Sequence, residues 1–183
     1  MSNSTPSPKE RAAHFVGALR KIRNDRGKLA ALRRGLTPAT VMDAWPVVAD
    51  LGGTIGQPGD SVFLDVAALF ATHPEESSAR NLGEACRAIA LKDSSDGTVA
   101  ESFERRFRRL LVCGDRGDVV GQLRSWIRLA ASKGVAVNYE SLFADLWNWP
   151  WYADEIRVKW ARAFWQSGEA ASADPKTANV ATA

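Results

Sequence analysis

An all-α fold of about eight or nine helices is predicted by three features of this sequence. Apolar residues recur at helical spacing in almost every segment between turn residues. Helix-start signatures, in which Ser, Thr or Asp precedes an amphipathic run, open several of those segments. The only β-like run, Val135-Ala136-Val137, is too short to build a sheet. At 183 residues, 45% of them hydrophobic, the chain can fill one core or two small helical lobes.

Taken in order, Ser7-Pro8-Lys9-Glu10 is a capping box with proline in the first turn, and Phe15, Val16, Leu19 and Ile22 follow at helical spacing. This predicts a helix over residues 8–24. A short helix over Lys28–Arg34 is expected to end at Gly35, and Thr37-Pro38 to start another carrying Met42 and Trp45 until Pro46 interrupts it. Gly52–Gly59 is a loop, followed by helices over Val62–Thr72 and Arg80–Leu91. The polar stretch 92–97 is a candidate break between two lobes. Thr98-Val99-Ala100-Glu101 reads as a second capping box, and Asp118 as the cap of a helix running to Lys133-Gly134. Helices over 139–147 and 153–166 are joined by the aromatic corner Trp147–Tyr152. Residues 1–7 and 167–183 hold few large apolar side chains and are expected to be flexible tails around a helical domain of residues 8–166.

Charge is unevenly spread. Nine lysines and arginines against Glu10 and Asp25 put residues 1–34 at +7, whereas the whole chain carries only +3. Such a field favours an anionic partner. No run approaches the ~20 apolar residues of a spanning helix, and no basic segment followed by an apolar one opens the chain, so a cytoplasmic protein without membrane contact is expected. Cys86 and Cys113 belong to no ligand-spaced pair and read as small buried hydrophobes.

The most informative segment is Glu104–Leu111. Phe103, Phe107, Leu110 and Leu111 fall on about one third of the helix surface at ~100° per residue, and Arg105, Arg106, Arg108 and Arg109 occupy the remainder. One face can pack a core while the other presents guanidinium groups, which make forked hydrogen bonds to phosphate. In the next helix Arg124 and Arg128 lie four apart beside the apolar face of Val119, Val120, Leu123, Ile127 and Ala130.

Catalytic chemistry is sparse. His14 and His73 stand without histidine or glutamate partners at ligand spacing, His14 as a surface or boundary residue and His73 as a helix end. Asp60, Asp65, Asp93 and Asp96 could touch a cation, but a helix cap and a polar turn explain them better. No catalytic residue, metal site or cofactor is expected. Of the seven tryptophans, Trp126 and Trp160 share faces with aliphatic residues and read as core, whereas Trp149 and Trp151 flank Pro150 and could anchor a partner.

The order of these elements resembles the CasB family. The resemblance rests on Arg26–Gly35, Arg105–Leu111, Gln122-Leu123-Arg124, Leu142–Leu146 and Val158–Trp165, and spans residues 9–166. That family supplies the small subunit of the type I-E CRISPR surveillance complex, Cascade. The resemblance implies a helical, non-catalytic protein, present in two copies beside other Cascade subunits, that holds guide RNA, target DNA and the displaced strand. Position by position, it makes Arg33 and Arg34 the N-terminal basic pair, Arg105, Arg106 and Arg109 the central basic helix, and Arg124 the following one. Arg116 and Arg128 join them by proximity and facing. Arg108, nearest the Leu111 border, is expected to be spent partly on packing, and Arg157, Lys159 and Arg162 on packing or a neighbouring subunit. Faces of this kind suit phosphate contact, with sequence reading delegated to the guide. The competing reading is an assembly subunit whose arginines pair with acidic neighbours and touch no nucleic acid. A helix-turn-helix regulator lacks a recognisable short turn and reading helix.

Overall fold

The computed structural model describes residues 6–37, 39–57 and 59–166. Apart from Pro6 and Ser7, the expected tails lie outside them, as do Pro38 and Pro58. Among the described residues are eight α-helices: α1 (Pro8–Lys21), α2 (Arg26–Arg34), α3 (Trp45–Asp50), α4 (Ser61–Thr72), α5 (Leu82–Leu91), α6 (Glu101–Leu111), α7 (Arg116–Lys133) and α8 (Tyr139–Trp165). The all-α expectation holds. Val137 makes only an isolated parallel bridge to Glu76, and no sheet forms among the described residues.

Local chemistry explains the starts. The Ser7 box is complete: its hydroxyl accepts from the Glu10 amide at 3.3 Å and the Glu10 carboxylate accepts from the Ser7 amide at 2.7 Å. α1 stops at Lys21, short of the expected residue 24, because Asp25 caps α2 by accepting from the Lys28 amide at 3.0 Å. Pro46 sits in the first turn of α3 and begins a helix where an interruption was expected. Its missing N–H costs nothing there. Upstream of it, Val41–Asp43 forms one turn of 3-10 helix. Gly134 ends α7 in the left-handed region at φ 60°, as a C-terminal glycine should.

Two expected caps are displaced. Thr98 does not cap α6; its amide and hydroxyl donate to Asp96 Oδ1 at 3.0 and 2.8 Å, and Ala100 takes the cap position without a side-chain bond. These bonds, with one from Ser94, hold the Asp96 carboxyl at about 2. Asp115, three residues before the expected Asp118, caps α7 by accepting the Asp118 amide at 2.9 Å. A free carboxylate just before the helix outcompetes one inside its first turn, because only the former can reach the exposed amides.

α8 organises the core. Its first half packs on α1 and α4, where Phe143 lies 6.0 Å from Phe15 and 5.1 Å from Phe63 between ring centroids. Its second half packs on α5, so closely that a Cβ on Gly83 would stand 2.1 Å from the Trp160 carbonyl oxygen. One contiguous cluster draws residues from both sides of the 92–97 turn, including Ile89, Phe107, Leu123 and Phe164. The expected corner at 147–152 narrows to a kink at Tyr152 (φ −131°, ψ 32°), and Trp147–Trp151 are helical. Pro150 withholds the amide that would bond one turn back, which accounts for a bend here. Asp145 spans the bend, accepting from Lys159 Nζ and, at 2.7 Å, from Trp160 Nε1.

Candidate nucleic-acid interface

The basic residues divide by what the fold does with them. On α6, Phe107 and Leu110 are fully buried and Phe103 and Leu111 partly so, which turns Arg105 and Arg109 outward and leaves Arg106 at the border. Phe107 stacks on Phe164 of α8 with centroids 4.0 Å apart and planes 8° apart, fixing the roll of the helix. Arg105 makes a loose one-turn pair with Glu101 at 3.9 Å with both side chains exposed, a contact worth little. Among the described residues no hydrogen bond or ion pair engages the side chains of Arg106 or Arg109. Arg108 bonds Glu104 at 2.8 Å and lies 5.9 Å from the Trp165 ring centroid, contacts within the chain as expected, although its side chain stays exposed and Arg106 takes the border position expected of Arg108.

α7 carries the second group. Arg128 is exposed and unpaired among the described residues. Arg116 donates to Ser61 at the start of α4. Arg116 and Arg124 both attract Asp65 of α4, and Arg124 Nε is buried without a hydrogen-bond partner. Burial outweighs this attraction and pushes the Asp65 carboxyl up to about 6. Asp65 sits inside α4 rather than at its cap, within electrostatic reach of both arginines of α7. Sequence spacing within one helix held no signal for it, because its partners lie more than 50 positions away.

α2 carries the third group, and here the fold consumes more charge. Arg33 Nε donates to the Ala71 carbonyl at 2.8 Å, and Arg34 pairs with Asp43 at 3.0 Å on the surface. The other residues of the basic N-terminal region are also partly engaged. Arg20 bonds Glu76 at 2.7 Å and Glu140 at 2.5 Å, which raise its pKa further, and Arg11 lies 5.0 Å over Trp147. Lys21, Arg23 and Arg26 stay exposed at the α1–α2 corner.

On the second half of α8, Arg157 and Lys159 are engaged within the protein, whereas Arg162 is exposed with no side-chain partner among the described residues. Arg157 donates to the Cys113 carbonyl at 2.5 Å and lies 5.2 Å over Trp149. Arg87 donates to the Phe164 carbonyl at 2.9 Å, a bond the sequence did not signal. Trp126 and Trp160 are core residues as expected; Trp149, a candidate anchor, is 1% exposed and belongs to the core, whereas Trp151 is 68% exposed. His73 closes α4 with Nε2 2.8 Å from the Val135 carbonyl, and His14 is on the surface. Cys86 and Cys113 are free and buried, and burial pushes both thiols up. Among the described residues no three His, Cys, Asp or Glu side chains gather as a metal site would require, and no helix is long and apolar enough to cross a membrane.

Known proteins share this fold. A Cse2-family CRISPR-associated protein of Thermus thermophilus is 26% identical, with 88% of this chain and 99% of that one covered at a TM-score of 0.69. CasB of M. ruber is 27% identical, covering 89% and 95% at a TM-score of 0.66. A chain of a CRISPR RNA-guided surveillance complex shares the fold at 23% identity, covering 87% and 94% at a TM-score of 0.69. No curated protein matches the chain. The profile of CRISPR-associated protein Cse2 matches residues 28–165, from α2 to the last turn of α8, and the chain belongs to that family.

Proposed function

We propose that this chain is the non-catalytic small subunit of an RNA-guided CRISPR surveillance complex, holding guide RNA, target DNA and the displaced strand by phosphate contacts. Membership of the Cse2 family supports the complex, as does a shared fold with a chain of a CRISPR RNA-guided surveillance complex. The observation that carries the nucleic-acid role is the outward face of α6, where Arg105 and Arg109 stand exposed on a helix locked to the core. Arg106 borders that face on α6, and the same role is assigned to Arg116, Arg124 and Arg128 of α7 and to Arg33 and Arg34 at the end of α2. In this role the helical body of residues 8–166 acts as one unit, beside a second copy and other subunits of the complex. Guanidinium groups on rigid helices hold a backbone without reading bases.

The test is binding of a labelled single-stranded oligonucleotide by the isolated protein across a salt series. Log K should fall by ~0.7 per phosphate contact, and replacing Arg105, Arg106 and Arg109 by Ala together should flatten the slope by about two units. An unchanged slope would remove α6 from the contact surface. No binding at low salt, with crosslinks in the assembled complex confined to protein neighbours, would favour the pure assembly subunit, for which the exposed Trp151 offers an anchor.

A further inference from the structure

The last turn of α8 leaves an indole in solvent beside the basic helix. Trp165 is 39% exposed, although Phe164 before it and Trp160 one turn back are fully buried. Its ring meets both members of the Phe107–Phe164 stack nearly at right angles, with centroids 5.3 and 5.2 Å away. Those contacts join α6 to α8, so part of the indole is anchored on the core and the rest is open. A single exposed apolar side chain needs no explanation by itself, and Trp151 is more exposed still. The charges nearby set the two tryptophans apart. Trp151 is followed by Asp154 and Glu155, both exposed. At Trp165 the Arg108 guanidinium lies 5.9 Å from the ring centroid and is steadied by Glu104 at 2.8 Å. Arg105 is one turn before Arg108 on α6, Arg109 is next to it, and both are exposed. Arg162, one turn before Trp165 on α8, is exposed with no side-chain partner among the described residues. On these adjoining turns Arg105, Arg108, Arg109 and Arg162 outnumber Glu101 and Glu104, which favours a polyanion as the occupant.

We infer that Trp165 is a stacking platform for one unpaired base, with Arg108 beside it to meet a phosphate of the same strand. This rests on the nucleic-acid role proposed above and names the form of nucleic acid that the α6 face takes, a single strand. In a duplex each base is stacked between its neighbours and paired on its edge, so an indole on a helix surface has no ring to meet. In a single strand the base can turn out and lay its face on the indole, and every base has such a face. The platform therefore selects unpaired over paired nucleic acid without selecting sequence. Its anchoring on Phe107 and Phe164 matters here, because a ring already held in place loses little freedom when a base settles on it. Arg108 combines two contacts at one point, the ring face and a guanidinium, which is the pairing that sequence-tolerant single-strand sites use.

The experiment is fluorescence anisotropy with a labelled single-stranded DNA, and with its duplex, on the full chain and on its Trp165→Ala and Trp165→Phe variants. Trp165→Ala should weaken single-strand binding by about 5- to 100-fold at fixed salt, and Trp165→Phe, which keeps a ring, should retain most of the affinity. Duplex affinity should hardly change. The salt slope should be the same in all three proteins, because a stacked ring releases no counterion. Unchanged single-strand affinity in Trp165→Ala, or an equal loss on single strand and duplex, would overturn the inference while leaving the arginine contacts of α6 to their own salt-slope test. No binding by the unmodified protein would overturn both. If Trp165→Ala does not fold, ultraviolet crosslinking of the unmodified protein to a single strand carrying bromodeoxyuridine decides. The crosslinked peptide should contain Trp165, and crosslinks confined to other peptides overturn the proposal.

Discussion

α6 and the second half of α8 lie against each other through Phe107 and Phe164, and both carry cations beside aromatic rings, yet they use them in opposite ways. On α8, Arg157 and Lys159 end on a backbone carbonyl and on a buried carboxylate, and they hold the kink and the α6–α7 turn in place. On α6, Arg105 and Arg109 end in solvent. The difference lies in what surrounds the guanidinium, since burial makes an unpaired charge costly while exposure leaves it available to a partner.

The largest loss is expected at the packing that both helices share. Phe107→Ala should cost about 3–5 kcal/mol, read as a lowered thermal midpoint, because it opens a cavity against Phe164 and Trp126. Gly83→Ala should cost a comparable amount, since its Cβ would strike backbone that cannot rotate away. Asp145→Ala tests the brace across the kink. It strips a partner from the Trp160 indole and should cost about 1–3 kcal/mol in chemical denaturation.

Arginine replacements sharpen the contrast. Arg157→Ala should lower stability by about 1–2 kcal/mol and leave the salt slope of oligonucleotide binding unchanged. The Arg105, Arg106 and Arg109 triple replacement should do the reverse, with stability within about 0.5 kcal/mol of the unmodified protein. A stability loss from the triple larger than that from Arg157→Ala would erase the distinction. Smaller again is the effect of pH through Asp65. Its folded pKa, about 6, lies above the ordinary value of 3.8, so the folded state holds more protons than the unfolded one between those values. Its contribution to stability is therefore greatest below pH 4 and is lost as pH rises through about 6. Asp65→Asn should remove that component from a stability–pH profile.

Element order, helix periodicity and most boundaries were legible in the sequence, because amphipathic spacing, capping residues and terminal glycines act within one or two turns of chain. So were the roll of α6, with Phe107 inward and Arg105 outward, and the engagement of Arg108 within the chain. Where local reasoning missed, two local candidates competed: Asp115 against Asp118 for the α7 amides, and Asp96 against Glu101 for Thr98. Pro46 shows the same limit, since one residue type can stop a helix or start one.

The set of helices, their apolar faces and the positions where positive charge is concentrated thus follow from residue order alone. Which charges remain free was settled by packing. It brought Asp65 within electrostatic reach of Arg116 and Arg124, tied Arg33 to Ala71 and Arg20 to Glu76 and Glu140, and buried Trp149 while leaving Trp151 in solvent. The reason is range: periodicity and capping are short-range properties of the chain, whereas desolvation and ion pairing depend on groups brought together from distant positions by packing.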